Sequence, residues 1–128
     1  PILPLNVDLL HPTPALGWNS NEFPSFLERS KGAFDQVWML AVIHHLLLDG
    51  GISLREIITT VATLTSKDLV IEYISPDDPT FVSLQRGRTL NRDFEQGTFE
   101  TECNRLFTTL EKRELPSRTR CLYLLRKK

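Results

Sequence analysis

Short apolar runs alternate along this chain with stretches where apolar residues recur every three or four positions. The former read as strands and the latter as helices. Phe34, Val37, Trp38, Met39 and Leu40 make the clearest run and predict a strand over 34–41, with a helix-like leucine tract after it. Ser53 is a good helix start, because Glu56 three residues on completes a capping box. Leu54, Ile57, Ile58, Val61, Ala62 and Leu64 then follow at helical spacing. Residues 68–74 form the next strand, closed by Ser75-Pro76-Asp77-Asp78-Pro79. Beyond it the pattern predicts a helical turn over 80–86, a helix over 98–107, a weak strand over 108–115 and a last strand over 119–126. Toward the N-terminus, 3–8 has strand-like content that stops at Asp8, with Pro4 disfavouring a central strand. A Pro/Gly-punctuated loop covers 11–19, and Ser20 or Asn21 is the expected cap of a helix reaching Arg29.

Strands alternating with helices imply a layered α/β fold. Both middle strands are apolar on successive residues, which predicts that they are parallel, adjacent and covered on both faces in a three-layer arrangement. The terminal pair, with its short connection, implies an antiparallel edge. The expected core contains Val37, Met39, Ala41, Leu54, Ile58, Val70, Ile71, Leu122 and Leu124.

Length and charge narrow the partners. The 128 residues suffice for one small domain. Fifteen basic against sixteen acidic residues argue against a nucleic-acid or anionic-membrane partner. No apolar run is long enough to span a bilayer. Cys103 and Cys121 are isolated, without metal or disulfide-framework spacing, so a reduced cytoplasm is the expected compartment.

The strand over 34–41 ends at an abrupt chemical change, His44-His45. Ligands of open α/β sheets sit beyond the carboxyl ends of the strands. His44 and His45 are therefore candidates to orient an acceptor or take its proton, a neutral imidazole being suited to general-base work near pH 7. In the competing reading one side chain packs and caps the following helix while the other is solvated. Glu72, at the end of the next strand, faces the same rim and either binds a polar acceptor or makes a structural hydrogen bond to a loop. Trp18 and Glu22 are candidates for a lid, against a small hydrophobic anchor. Arg86 and Arg88 are candidates for an anionic group, against simple solvation.

Several local signatures occur in order: Pro12-Thr13-Pro14-Ala15-Leu16-Gly17-Trp18 with Glu22, Phe34-Asp35-Gln36-Val37, Leu40-Ala41-Val42-Ile43-His44-His45-Leu46, Val70-Ile71-Glu72-Tyr73 with Asp78-Pro79, and Arg118-Thr119-Arg120-Cys121-Leu122-Tyr123-Leu124. Together they resemble class I S-adenosylmethionine-dependent methyltransferases, in a bacterial branch labelled nodulation-type. The resemblance implies a Rossmann-like sheet of strand order 3-2-1-4-5-7-6 with its last strand antiparallel. Residues 3–8, 34–41 and 68–74 would be strands three to five, and the terminal pair strands six and seven. It also implies an adenine contact at Asp8 and the Leu9 amide, against a turn aspartate that satisfies nearby amides, and an Ala41 carbonyl turned to the cofactor's ammonium. The acceptor is an unidentified small or medium molecule.

One departure is decisive for the cofactor. The family's glycine-rich loop after strand one is missing, since none of Gly17, Gly32, Gly50, Gly51, Gly87 and Gly97 forms it. The expectation is the C-terminal portion of a single methyltransferase domain, inactive alone, with its sheet completed by an N-terminal half or a partner chain. Without that completion, unpaired backbone and bare apolar faces are expected, unless residues 1–30 pack differently from the parent fold. A rival resemblance is carried by His44-His45-Leu46-Leu47-Leu48-Asp49-Gly50, which matches the H-H-x-x-x-D-G signature of condensation and chloramphenicol-type acyltransferases. Those folds are much longer and do not account for the later signatures. A non-catalytic methyltransferase-like module is the third reading. A metal site at His44, His45 and Asp49 is disfavoured, because adjacent side chains on a helix diverge.

Overall fold

The computed structural model of the chain describes residues 4–87 and 94–128. Helices α1 (Phe26–Arg29), α2 (Ile43–Leu48), α3 (Leu54–Leu64), α4 (Pro79–Gln85) and α5 (Gln96–Leu106) accompany strands β1 (Phe34–Met39), β2 (Thr65–Ile74), β3 (Phe107–Glu114) and β4 (Arg120–Lys127). The strands form one open sheet in the order β1-β2-β4-β3. β1 and β2 are parallel, with Val37 opposite Leu69 and Met39 opposite Ile71. β4 lies antiparallel between β2 and β3.

Local chemistry sets the helix starts. Ser53 accepts from the Glu56 amide while the Glu56 carboxylate accepts from the Ser53 amide, the reciprocal box anticipated from the sequence. Ser25 and Glu28 make the same box for α1, so the cap is Ser25 and not Ser20 or Asn21. Pro24 explains the difference, since it disfavours helix at the residue before it. Asp78 caps α4 with Pro79 in the first turn, where a missing amide hydrogen costs nothing. α3 and α5 run straight into β2 and β3, with Thr65 and Phe107 already extended.

Residues 4–8 are irregular, and Leu3 lies outside the described residues. The strand expected at 3–8 is thus not formed over 4–8. Among the described residues no strand borders β1 on its outer side, so this segment has no ladder to join there. Leu10 instead anchors the N-terminal stretch by packing on Gly50, where any side chain would collide with it.

Among the described residues every buried apolar side chain except Leu64 belongs to one cluster, which takes Met39, Leu69, Ile71, Tyr73, Ile74, Phe107, Cys121, Tyr123 and Leu125 from the sheet. Phe81, Phe94, Phe99, Tyr73 and Tyr123 form a chain of ring contacts inside it, with successive centroids 5.2–5.6 Å apart along the pairs Phe81–Phe94, Tyr73–Phe94, Tyr73–Phe99 and Phe99–Tyr123. The alternate residues Trp38, Val70, Leu122 and Leu124 lie outside the cluster, and Trp38 is 63% exposed. The described residues therefore form two layers, not the expected three. Of the anticipated core, Met39, Leu54, Ile58 and Ile71 are buried, whereas Val37, Val70, Leu122 and Leu124 are half-buried and Ala41 is exposed. Apolar content at successive strand positions marks a capacity to be covered and does not supply the cover. Both cysteines are buried and free, and no helix among the described residues is long and apolar enough to cross a membrane.

The two faces should respond differently to truncation. Leu69→Ala, inside the cluster, is expected to cost about 2–5 kcal/mol, and Val70→Ala under about 1 kcal/mol. Urea unfolding of the two variants measures the contrast, and equal losses would contradict the one-sided core.

Candidate functional site

The carboxyl ends of β1 and β2 meet at a rim built on buried ionic contacts. Beyond Met39 the chain turns through Ala41 into α2, and Ala41 holds φ +54°, a left-handed conformation unusual for a residue with a side chain. The Ala41 amide donates to Glu72 Oε2 at 2.7 Å. The other oxygen of Glu72 faces Arg120 Nη1 at 3.4 Å, and the Glu72 side chain is only 8% exposed. Arg120 also forks onto Asp78, Nε to Oδ2 at 2.9 Å and Nη2 to Oδ1 at 3.1 Å. The Thr119 hydroxyl donates to Asp78 at 2.7 Å, and Asp78 accepts the Thr80 amide as the cap of α4. The Arg120 guanidinium, helped by Thr119 and the Thr80 amide, holds the Asp78 carboxyl far below the usual carboxylate range despite burial. Asp78 in turn raises the Arg120 pKa.

One histidine is buried and the other exposed, as in the second reading, but among the described residues neither caps a helix, and Ser53 caps α3. His44 is 2% exposed, and its Nδ1 has no hydrogen-bond partner among the described residues. Its ring packs toward Phe81, with centroids 6.4 Å apart. Burial, reinforced by His45 and Arg120, lowers its pKa below the ordinary 6.5, so the buried ring is neutral near pH 7. His45 points outward, its Nδ1 3.1 Å from Asp49 Oδ2 one helical turn on. The H-H-x-x-x-D-G spacing thus places a histidine and an aspartate on the same face of α2. The rings of His44 and His45 do not diverge as expected of helix neighbours; their centroids are 4.3 Å apart.

The remaining candidates sit apart from this rim. Asp8 is exposed and folds back on its own segment, accepting the Leu10 amide at 2.9 Å and meeting His11 Nδ1 at 3.0 Å. These contacts, His11 first, lower its pKa. Leu9 is 45% exposed. Among the described residues no hydrogen bond joins Asp8 or Leu9 to Ala41, His44 or Glu72. Trp18 is exposed on a short turn after Gly17, which holds φ +89° with the Glu22 side chain where a Cβ would stand. Arg86 ends α4 at φ +43°, and Arg88 lies outside the described residues.

Arg120 and Asp78 escaped the reading of single residues, although both fall in quoted signatures. The Asp78-Pro79 pair carries a recognisable signal, a helix cap followed by a first-turn proline. Nothing local marks Arg120, whose partners Asp78 and Glu72 are 42 and 48 residues away in sequence. Arg120 also borders a cleft of about 450 Å³ between the β3–β4 turn and the start of α5, lined among others by Tyr73, Asp77, Gln96, Glu114 and Arg118.

Two outcomes follow from the rim. The folded-state pKa of His44 lies below its unfolded value of about 6.5. Its contribution to stability is complete above that value and is lost as pH falls through it, because the unfolded chain then binds the proton first. Denaturant midpoints at pH 7.5 and pH 5 should therefore separate more for the wild type than for His44→Phe. Arg120→Ala strands two buried carboxylates and is expected to cost about 3–5 kcal/mol by the same measurement.

The chain is 29% identical over 122 residues to the nodulation protein NoeA of Rhizobium meliloti (strain 1021). The match covers 94% of this chain and 25% of NoeA, so the chain spans about a quarter of the length of that curated relative. No family model matches the chain, and no solved structure matches it. The chain is similar to part of a nodulation protein and carries a mixed α/β fold with a four-stranded open sheet.

Proposed function

We propose that this chain is the C-terminal part of a cytoplasmic methyltransferase with a Rossmann-like sheet, which transfers a methyl group from S-adenosylmethionine to a small or medium acceptor. The observation that carries the reading is the strand order β1-β2-β4-β3 with β4 antiparallel between its neighbours. It corresponds strand for strand to the 4-5-7-6 portion of the resembled sheet. The similarity to the nodulation protein NoeA over nearly the whole chain agrees with the nodulation-type branch that the signatures resemble.

In this reading Ala41, at the carboxyl end of β1, offers its carbonyl to the cofactor's ammonium, and Asp8 with the Leu9 amide reads the adenine edge. For Asp8 that requires opening the local turn it now makes with Leu10 and His11. His45, outward and beside Asp49, is better placed than buried His44 to accept a proton from an acceptor. Methyl transfer to a good nucleophile is chiefly a matter of positioning, so such a base is an aid and not a requirement. Glu72 has both oxygens engaged within the rim. The free edge of β1 and the bare face at Trp38, Val70, Leu122 and Leu124 are covered by an N-terminal half or a partner chain, which brings the glycine-rich loop.

The 128 residues by themselves should bind S-adenosylmethionine about a thousandfold more weakly than the completed protein. Several buried polar contacts at about 1–1.5 kcal/mol each are missing, and each 1.4 kcal/mol is tenfold. Titration calorimetry on both forms tests this. Low-micromolar binding by the 128 residues would show that the site is complete without the added strands, and absence of binding by the longer form would remove the methyltransferase reading.

A further inference from the structure

We infer that Glu72 and Arg120 are positioning residues, which hold the Ala41 turn in its left-handed conformation and so set the direction of the Ala41 carbonyl. The use of that carbonyl for the cofactor rests on the methyltransferase reading; the holding of the turn does not.

Three observations carry it. Ala41 adopts φ +54° without being glycine, a conformation that persists only where surroundings impose it. The imposing contact is the 2.7 Å hydrogen bond from its amide to a carboxylate 31 residues away, on a neighbouring strand. That carboxylate is itself braced, because Arg120 reaches Glu72 while locked on Asp78 by two hydrogen bonds. The chain of contacts ties the β1–α2 turn to the end of β2, the start of β4 and the cap of α4. Thr119 and Thr80 complete the fixing of Asp78 and Arg120, through the Thr119 hydroxyl on Asp78 and the Arg120 guanidinium on the Thr80 hydroxyl at 3.1 Å. A peptide whose amide is pinned has its plane fixed. The residue's own carbonyl, one bond pair further on, is then restricted to the few directions that φ +54° allows. This explains why a buried carboxylate stands at a rim where it is closed off from any acceptor.

The test uses the complete protein and two readouts. In amide hydrogen exchange, Glu72→Ala should speed exchange at Ala41 at least tenfold while Ile58, in the middle of α3, stays protected. Glu72→Gln keeps an acceptor oxygen and should stay near wild type, which guards against a variant that merely unfolds. Arg120→Lys should fall between them. Unchanged exchange at Ala41 in Glu72→Ala, with Ile58 protected, overturns the positioning role whatever the protein binds.

The second readout is the dissociation constant for S-adenosylmethionine. Glu72→Ala should weaken binding at least tenfold, and the double variant Ala41→Gly with Glu72→Ala should recover a good part of it, since glycine takes positive φ without help. A purely structural defect would not be repaired by a glycine at position 41. Failure of the glycine to rescue overturns the link to the carbonyl. Failure of the wild type to bind overturns the methyltransferase reading instead, and leaves the turn to be judged by exchange.

Discussion

Two carboxylates, Glu72 and Asp78, are buried within seven residues of each other where β2 gives way to α4. Burial of such groups is tolerated only with partners, and a single guanidinium reaches both of them. Arg120 comes from the first position of β4, so the ionic contact is also a topological one: it fixes the strand that enters the middle of the sheet against the strand that leaves it. Asp78 begins α4, Glu72 governs the entry to α2, and both depend on the same cation. The rim is therefore a mutually supported unit, in which the caps and turns of four elements share one charge centre.

Away from the rim the sheet is one-sided. The aromatic chain from Phe81 through Tyr73 to Tyr123 fills the space beneath the helices, whereas the opposite face exposes Trp38 and leaves Val70, Leu122 and Leu124 half covered. Arg113 and Glu111 pair beside this surface, and Asp68 pairs with Arg126 across it. The apolar strip is thus framed by charges that already satisfy one another. Such framing keeps an uncovered face soluble while leaving its centre able to be buried.

What the sequence disclosed divides by the range of the interaction. The capping box at Ser53 and Glu56 was legible because cause and effect lie within four residues. The parallel pair β1 and β2 and the antiparallel terminal pair were legible from apolar runs and connection lengths. The face each strand buries was not, because Val70 and Ile71 are chemically alike and only the placement of α3 and α5 separates them. Asp8 stands where the competing reading put it, as a turn residue whose carboxylate is satisfied by Leu10 and His11 within three positions. Among site residues, the histidine pair announced itself, yet which ring turns inward depends on Phe81, 37 positions from His44. Arg120 was silent for the same reason.

The direct passages from α3 into β2 and from α5 into β3 bear on how this chain can change in length. At Leu64–Thr65 and Leu106–Phe107 there is no loop to absorb an insertion. One added residue would swing the helix by about 100° relative to its strand, or else invert every side chain of the strand from one face to the other. Changes of length fall instead in connections between elements, among them 30–33, 49–53 and 115–119. The helix–strand pairs behave as single inherited pieces whose length is fixed.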